Sequence, residues 1–201
     1  MNNIFQKNIN ALVQKNETLA RELLTYIPTD VPELKQENGA YNLFYKNQYL
    51  HNPINPLGEA QEIFAMAENS PVAIHLVYGL GLGYLFQVTS LNSQGTVILY
   101  EPDLNIIRIV FNLVDFSNDI LKKNVYVTNN LEQVSEYIYQ KSNTKNSPLL
   151  LSTTSYRELN RENFASLVNE LQQMIGRFGL DLKYTKERFC TSRTVPCSIP
   201  L

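Results

Sequence analysis

Apolar residues recur at helical spacing over residues 3–27, with polar side chains between them and Pro28 directly after the last one. This spacing predicts an amphipathic helix that ends at the proline. Its apolar face needs a partner surface, which is either the rest of its own domain or another chain. The apolar positions are Ile4, Ile9, Leu12, Val13, Leu19, Leu23, Leu24 and Ile27.

The period changes over residues 31–51, where Asn38-Gly39 separates two short runs. Both turn residues tolerate positive φ, so the pair predicts a β-hairpin. Tyr41, Tyr45 and Tyr49 are spaced by four residues and are expected on one face of a strand. That face is either a packing surface or a recognition surface.

Strand and helix patterns alternate after residue 55. Asn55 and Pro56 form a helix start, and the helix is predicted to run to about Asn69. The strand that follows, 72–78, is apolar on both faces except at His75, as in the centre of a parallel sheet. Further predicted elements are helices from Gly83 to about Asn92, from Asp103, at 117–122, from Asn130 through Tyr139 and at 158–178, and strands at 96–100, 124–128 and 148–151.

This alternation predicts an α/β fold with a Rossmann-like, doubly wound, mostly parallel sheet, preceded by an N-terminal helix and a small β-hairpin element. We expect three parts along the 201 residues. They are a helix-plus-hairpin subdomain (1–55), a Rossmann-like domain (56–180) and an irregular C-terminal tail (181–201).

The turn after strand 72–78 carries Gly79, Gly81 and Gly83 in a G-x-G-x-G pattern. The dinucleotide fingerprint is G-x-G-x-x-G, and its last glycine position holds Tyr84 here, so NAD is disfavoured. G-x-G-x-G is instead typical of S-adenosylmethionine-dependent methyltransferases. Those proteins usually carry an acid two residues before the first glycine, where this chain has Val77. The alternative reading is a tight strand-to-helix turn that needs positive φ without any ligand.

An acidic end follows the next strand, at Glu101-Pro102-Asp103. A carboxylate at this place can accept hydrogen bonds from a ribose. The candidate cofactor-binding residues are therefore the three glycines, Glu101 and Asp103. Glu101 and Asp103 can equally be a strand terminator and a helix cap.

No catalytic residue is predicted, because the chain has neither a phosphate-binding G-x-x-x-x-G-K-[ST] loop nor a G-x-S-x-G elbow. His75 in mid-strand is expected to be a core histidine, and His51 a loop residue. Cys190 and Cys197 do not have zinc-site spacing, so no metal site is predicted. We expect these cysteines to be reduced, with a disulfide as the alternative.

Charge narrows the range of partners. The net charge is −2 and no basic run occurs, which argues against binding of nucleic acid or anionic lipid. No apolar run approaches the roughly 18 residues of a membrane span, and the N-terminus lacks a signal-peptide pattern. We therefore expect a cytoplasmic protein without a membrane span.

Three stretches together resemble one family. Residues 49–60 (YLHNPINPLGEA), 78–84 (YGLGLGY) and 100–103 (YEPD) are similar, in this order, to the N-terminal domain of the motility accessory factor (Maf) proteins. The resemblance covers about residues 40–115. It implies a Rossmann-like domain and a place in the transfer of nonulosonic sugars to serines and threonines of flagellin.

In that family the transfer chemistry is assigned to a central domain that opens with a Gly-Pro-Ser type motif, and this chain contains no Gly-Pro-Ser. The resemblance therefore implies a module that is non-catalytic on its own. Its expected partners are flagellin, another protein acceptor or a separately encoded catalytic domain. S-adenosylmethionine or a sugar nucleotide are the ligands considered for the turn, and a methyltransferase-like binding protein is the alternative function. A third possibility is an α/β scaffold whose N-terminal helix mediates assembly.

Overall fold

The structure is a computed structural model that describes residues 3–66, 74–141, 148–176 and 183–184. It contains two sheets. The smaller one is antiparallel and consists of β1 (Glu33–Glu37), β2 (Ala40–Tyr45) and β3 (Gln48–Tyr49). The larger one is parallel throughout and consists of β4 (Ile74–Tyr78), β5 (Thr96–Tyr100), β6 (Val125–Thr128), β7 (Pro148–Leu151) and β8 (Lys183–Tyr184).

The strand order of the parallel sheet is β6-β5-β4-β7-β8. Within this sheet, β4 comes first along the chain and is central. β5 and β6 follow on one side, and the chain then crosses to place β7 and β8 on the other side, as in a Rossmann-like sheet. Every residue of β4 is buried, because the strand has a parallel neighbour on each edge and helices on its faces. The predicted α/β fold class is confirmed.

Nine helices occur in the described ranges. α1 packs against α2, α5 and α6, and α4 packs against α3 and α6, so α1 to α6 form one connected group. α7 packs against β5, β6 and α9. The helices thus form two groups, as expected for a sheet covered on both faces. Their bounds are α1 Asn3–Val13, α2 Glu17–Thr25, α3 Pro56–Met66, α4 Tyr84–Asn92, α5 Leu104–Leu113, α6 Ser117–Ile120, α7 Leu131–Lys141, α8 Thr154–Leu159 and α9 Arg161–Gly176.

The prediction of one helix over residues 3–27 was wrong, because α1 and α2 are separated at Asn16. The Asn16 side-chain oxygen accepts the Leu19 N–H at 3.1 Å and so caps α2. Its amide nitrogen donates to the Val127 carbonyl at 3.1 Å. These bonds favour a helix start over a continuous helix at this position.

The apolar face of α1 lies on its own domain. Phe5, Ile9 and Leu12 are buried, and the helix packs against α5 and α6. Asn8 is fully buried on the same face, where its amide donates to the carbonyls of Phe111 and Val114 at 3.0 and 2.7 Å. The Asn8 side-chain oxygen accepts the Phe116 N–H at 2.7 Å. This asparagine therefore ties α1 to the segment between α5 and α6.

The predicted hairpin turn is confirmed, with Asn38 and Gly39 both at positive φ (51° and 83°). A second turn of the same kind at Lys46-Asn47 leads into β3 and was not predicted. Tyr49 lies opposite Phe44 across this turn. Tyr49 therefore shares a face with Phe44, whereas Tyr45, the next residue along β2, is on the opposite face. The prediction that Tyr41, Tyr45 and Tyr49 lie on one face was wrong.

The helix predicted at 158–178 is present as α9, which begins at Arg161, and residues 177–178 lie outside the described residues. A separate short helix, α8, precedes it. α8 was missed, since six residues are too few to show a helical period. Thr153 caps it by accepting the Tyr156 N–H. The predicted caps Asn55, Asp103 and Asn130 are all confirmed.

The predicted end of α3 at Asn69, the cysteines and almost all of the predicted tail lie outside the described residues. The predicted division at residues 55 and 180 stays a prediction. Within the described residues, none of the helices combines the length and the hydropathy needed to cross a bilayer.

We expect Asn8→Ala to lower the free energy of unfolding by about 2–4 kcal/mol, because three backbone groups, two of them buried, would lose their bond to this side chain. Asn10→Ala is the matched control on the same helix, since Asn10 is exposed and bonds to Gln6. The control should stay within about 0.5 kcal/mol of the wild type in urea unfolding. Equal effects of the two substitutions would contradict the role assigned to Asn8.

Candidate functional site

The five predicted site residues come together at the carboxyl edge of the parallel sheet. The turn 79–83 connects β4 to α4, and Gly79, Gly81 and Gly83 all have positive φ, between 50° and 94°. Glu101 and Asp103 follow β5, which is paired in register with β4. The strand-turn-helix geometry inferred from the sequence is therefore present.

Glu101 is buried in the middle of this edge, with 1% of its surface exposed. One carboxylate oxygen accepts the Leu80 N–H at 2.8 Å and the Tyr156 hydroxyl at 2.6 Å. The other oxygen accepts the Asp103 N–H at 2.9 Å. The carboxylate thus joins the glycine turn, the end of β5 and α8.

Burial raises the pKa of Glu101 to about 7. The three hydrogen bonds act in the opposite direction, because they favour the charged form, but desolvation is the larger effect. The carboxylate of Asp103 adds to the increase. Glu101 therefore changes its charge near neutral pH.

Tyr156 was not predicted as a site residue. Its hydroxyl donates to Glu101 and accepts the Gly81 N–H at 2.8 Å. Its ring lies against Gly79 so closely that a Cβ at that glycine would overlap ring carbons. Full burial, together with the negative charge of Glu101, raises the pKa of Tyr156 well above its usual value. The hydroxyl is therefore a stable donor to the carboxylate.

His51 also lies on the turn, so its prediction as a loop residue was incomplete. Its Nε2 accepts the Leu82 N–H at 3.0 Å, and a Cβ at Gly81 would overlap this nitrogen. Because Nε2 is the acceptor, the neutral ring carries its proton on Nδ1, which is 3.9 Å from a Glu59 carboxylate oxygen. Burial lowers the pKa of His51 to about 4, so the ring is neutral at pH 7.

Every backbone N–H of the turn is hydrogen-bonded within the protein. Besides the three bonds described above, the Gly79 N–H donates to the Tyr100 carbonyl and the Gly83 N–H to the Leu80 carbonyl. A Cβ at Gly83 would overlap the Phe116 ring. The three glycines thus make room for three protein rings, and the donors that a ribose or phosphate would use are occupied. A cofactor-binding role for Gly79, Gly81, Gly83, Glu101 and Asp103 stays a prediction.

Asp103 connects the sheet edge to the hairpin. One oxygen accepts the Asn105 N–H and side-chain amide at 2.9 and 3.0 Å, which caps α5. The other oxygen accepts the Tyr45 hydroxyl at 2.9 Å and lies 3.7 Å from the Lys46 ammonium. Burial and the neighbouring Asp103 raise the pKa of Tyr45 above its usual value, so the phenol remains a donor.

His75 lies in the core of the sheet, as predicted. It is fully buried, its Nδ1 is 2.9 Å from the Ser93 hydroxyl, and its ring lies 5.6 Å from that of Phe64. Burial lowers its pKa. Among the described residues, no cluster of three or more histidine, cysteine, aspartate or glutamate side chains is placed to hold a metal ion.

We expect Glu101→Gln to remove a pH-dependent part of the stability. The folded pKa of about 7 exceeds the ordinary value of 4.5, so the folded state binds this proton more tightly than the unfolded state. This contribution is fully present below pH 4.5 and is lost as the pH rises to about 7, with a change on the order of 3 kcal/mol. Relative to the wild type, the variant should gain this amount between pH 4.5 and pH 8, as measured by urea unfolding.

His51 acts in the opposite direction, because its folded pKa of about 4 lies below the ordinary 6.5. The Glu101 effect is therefore taken from the difference between variant and wild type, in which His51 cancels. Glu62→Gln, which removes an exposed carboxylate, is the matched control and should follow the wild-type profile. A constant difference between Glu101→Gln and the wild type at all pH values would contradict the assignment.

Gly81→Ala should destabilise the fold by about 2–4 kcal/mol, because strain at positive φ adds to overlap with the His51 ring. Gly39→Ala is the matched control, since Gly39 also has positive φ but has no atom within 4 Å of an added Cβ. Its cost should be about 1 kcal/mol. In a double-mutant cycle with His51→Ala, part of the Gly81→Ala cost should disappear. Additive costs would show that the ring does not press on the turn.

The chain was compared with protein families, curated proteins and solved structures. No protein-family model matches the chain, and no curated protein matches it. Among solved structures, one similar chain is "putative transferase PH0793" from Pyrococcus horikoshii, with 16% identity and a TM-score of 0.34. The match covers 53% of this chain and 39% of that protein, and at this level of similarity it carries no argument about function.

Proposed function

We propose that this chain is an N-terminal module of a Maf-type glycosyltransferase that acts in the glycosylation of flagellin or another surface protein. In this proposal the module positions the acceptor or a partner chain and does not transfer sugar by itself. Its Rossmann-like sheet is then a rigid support, and the catalytic residues belong to another domain or chain.

The observation that carries the proposal is that the three stretches resembling the Maf family meet at one place. His51 of the first stretch bonds to Leu82 of the second at 3.0 Å, and Glu101 of the third bonds to Leu80 of the second at 2.8 Å. Their partners are 31 and 21 residues away in sequence. The second and third stretches meet because β4 and β5 are parallel neighbours, whereas the sheet pairing does not dictate the position of His51 on the turn. The contact of the first stretch with the second therefore supports a single family signature.

The closed turn supports the non-catalytic part of the proposal. A general base must reach the proton that it abstracts. Glu101 is 1% exposed and already accepts three hydrogen bonds, and Tyr156 and His51 cover the glycines. The turn is therefore better suited to holding the fold together than to acid–base chemistry.

The alternative, a methyltransferase-like protein that binds S-adenosylmethionine, is favoured by the position of Glu101 one strand from the G-x-G-x-G turn. It requires the Tyr156 hydroxyl to leave the carboxylate before a ribose can bond there. Val77 also stands where such proteins usually carry an acid. These two features place it second.

A transfer assay tests the proposal. The chain alone, mixed with activated nonulosonate and flagellin, should give no glycosylated flagellin by mass spectrometry. Added to a separately expressed Maf-type catalytic domain, it should raise the transfer rate at low acceptor concentration, because positioning replaces a bimolecular encounter. An unrelated Rossmann-fold protein is the control. Turnover by the chain alone, or no effect on the catalytic domain, would sink the proposal.

Calorimetry on the same preparation distinguishes the proposed module from the methyltransferase-like alternative. S-adenosylmethionine should give no heat of binding. Micromolar binding that Glu101→Ala abolishes would instead favour the methyltransferase-like function.

A further inference from the structure

A cleft of about 320 Å³ opens at the carboxyl edge of the sheet, next to the closed glycine turn. Its volume is at the lower end of the range for small-molecule sites. In open α/β sheets, ligands bind outside the carboxyl ends of the strands, which is where this cleft lies. Three separate segments of the chain line it: Tyr26, then Pro102, Asp103 and Leu104, then Asn160 and Asn163.

The amides of Asn160 and Asn163 are available to a ligand. Within the described part of the chain, neither side chain makes a hydrogen bond. Asn160 is half-buried and Asn163 is exposed. Each amide offers two N–H donors and one oxygen acceptor.

Tyr26 and Asp103 add acceptors. The Tyr26 hydroxyl gives its proton to the Asn105 side-chain oxygen at 3.1 Å, so its own lone pairs remain for an incoming donor. Asp103 accepts three hydrogen bonds, and a carboxylate has about four acceptor sites. Its charge is partly balanced by Lys46, 3.7 Å away.

This mixture of donors and acceptors selects the ligand class. A hydroxyl group is both donor and acceptor and can use both kinds of lining atom. A phosphate offers acceptors only and would face the Asp103 carboxylate. Pro102 and Leu104 supply apolar surface for ring carbons. We propose that this cleft binds an uncharged polyhydroxyl ligand such as a sugar ring.

The side-chain amide signals of the two asparagines allow a direct test by ¹H–¹⁵N NMR of the full chain. Methyl β-D-glucopyranoside and D-ribose, added in the millimolar range, should shift the signals of Asn160 and Asn163. Inorganic phosphate should not. Asn163→Ala should weaken sugar binding about fivefold or more, because one hydrogen-bonding group is lost.

Gln172→Ala is the matched control, since Gln172 is an exposed amide on the same helix, α9. It should leave sugar binding unchanged. Because Asn163 is exposed and not hydrogen-bonded, its substitution should preserve the backbone spectrum, which the same experiment records. The proposal is overturned if neither sugar shifts these signals or if phosphate shifts them instead. It is also overturned if sugar still shifts the backbone amide signals of Asp103 and Leu104 in an Asn160→Ala, Asn163→Ala double variant. The proposed sugar site does not depend on the Maf-type function. A negative result in the transfer assay would leave the NMR test of sugar binding unchanged.

Discussion

The burial of one carboxylate, Glu101, determines how the carboxyl edge of the sheet is built. Removing a charged group from water costs several kcal/mol unless hydrogen-bond donors replace the water. Here the donors are the N–H groups of Leu80 and Asp103 and the hydroxyl of Tyr156. They come from the turn after β4, the start of α5 and α8. Satisfying one buried acid therefore fixes three segments that are distant in sequence.

The glycine turn has the shape of a nucleotide site but is filled by the protein. Glycines in a strand-to-helix turn show that something approaches the backbone closely, and the sequence pattern does not say what that is. In this chain the approaching groups are the rings of Tyr156, His51 and Phe116. The Tyr156 hydroxyl donates to an acid and accepts a backbone N–H, as a ribose hydroxyl can do. A side chain in this position satisfies the same polar groups without a ligand.

The sequence predicts those parts of the structure that depend on local chemistry. The apolar run of β4, the hairpin turn at Asn38-Gly39 and the cap at Asp103 each depend on a few adjacent residues. The missed features depend on distant partners. Tyr156 is 75 residues from Gly81 and stands in a helix too short to show a period, and Asn16 divides the N-terminal helix partly through a bond to Val127. Single-sequence patterns contain no signal for such contacts. The candidate residues were therefore placed at the correct edge of the sheet, but the side chains that cover the turn were missed.

The hairpin has a fixed position next to the glycine turn. The hairpin is held to the sheet edge by hydrogen bonds from Tyr45 to Asp103, from Tyr84 to the Tyr41 carbonyl and from Gln48 to the Ser155 carbonyl, at 2.9 Å each. A surface that positions another molecule must itself be rigid, because mobile contacts lose binding energy to ordering. In a nucleotide-binding protein the turn has to admit its ligand and cannot also be a permanent joint. Here the glycine turn is hydrogen-bonded to His51 after the hairpin, to Glu101 at the sheet edge and to Tyr156 of α8. These bonds give the hairpin, the sheet edge and α8 a fixed geometry relative to one another, and a fixed geometry is what the positioning role proposed above requires.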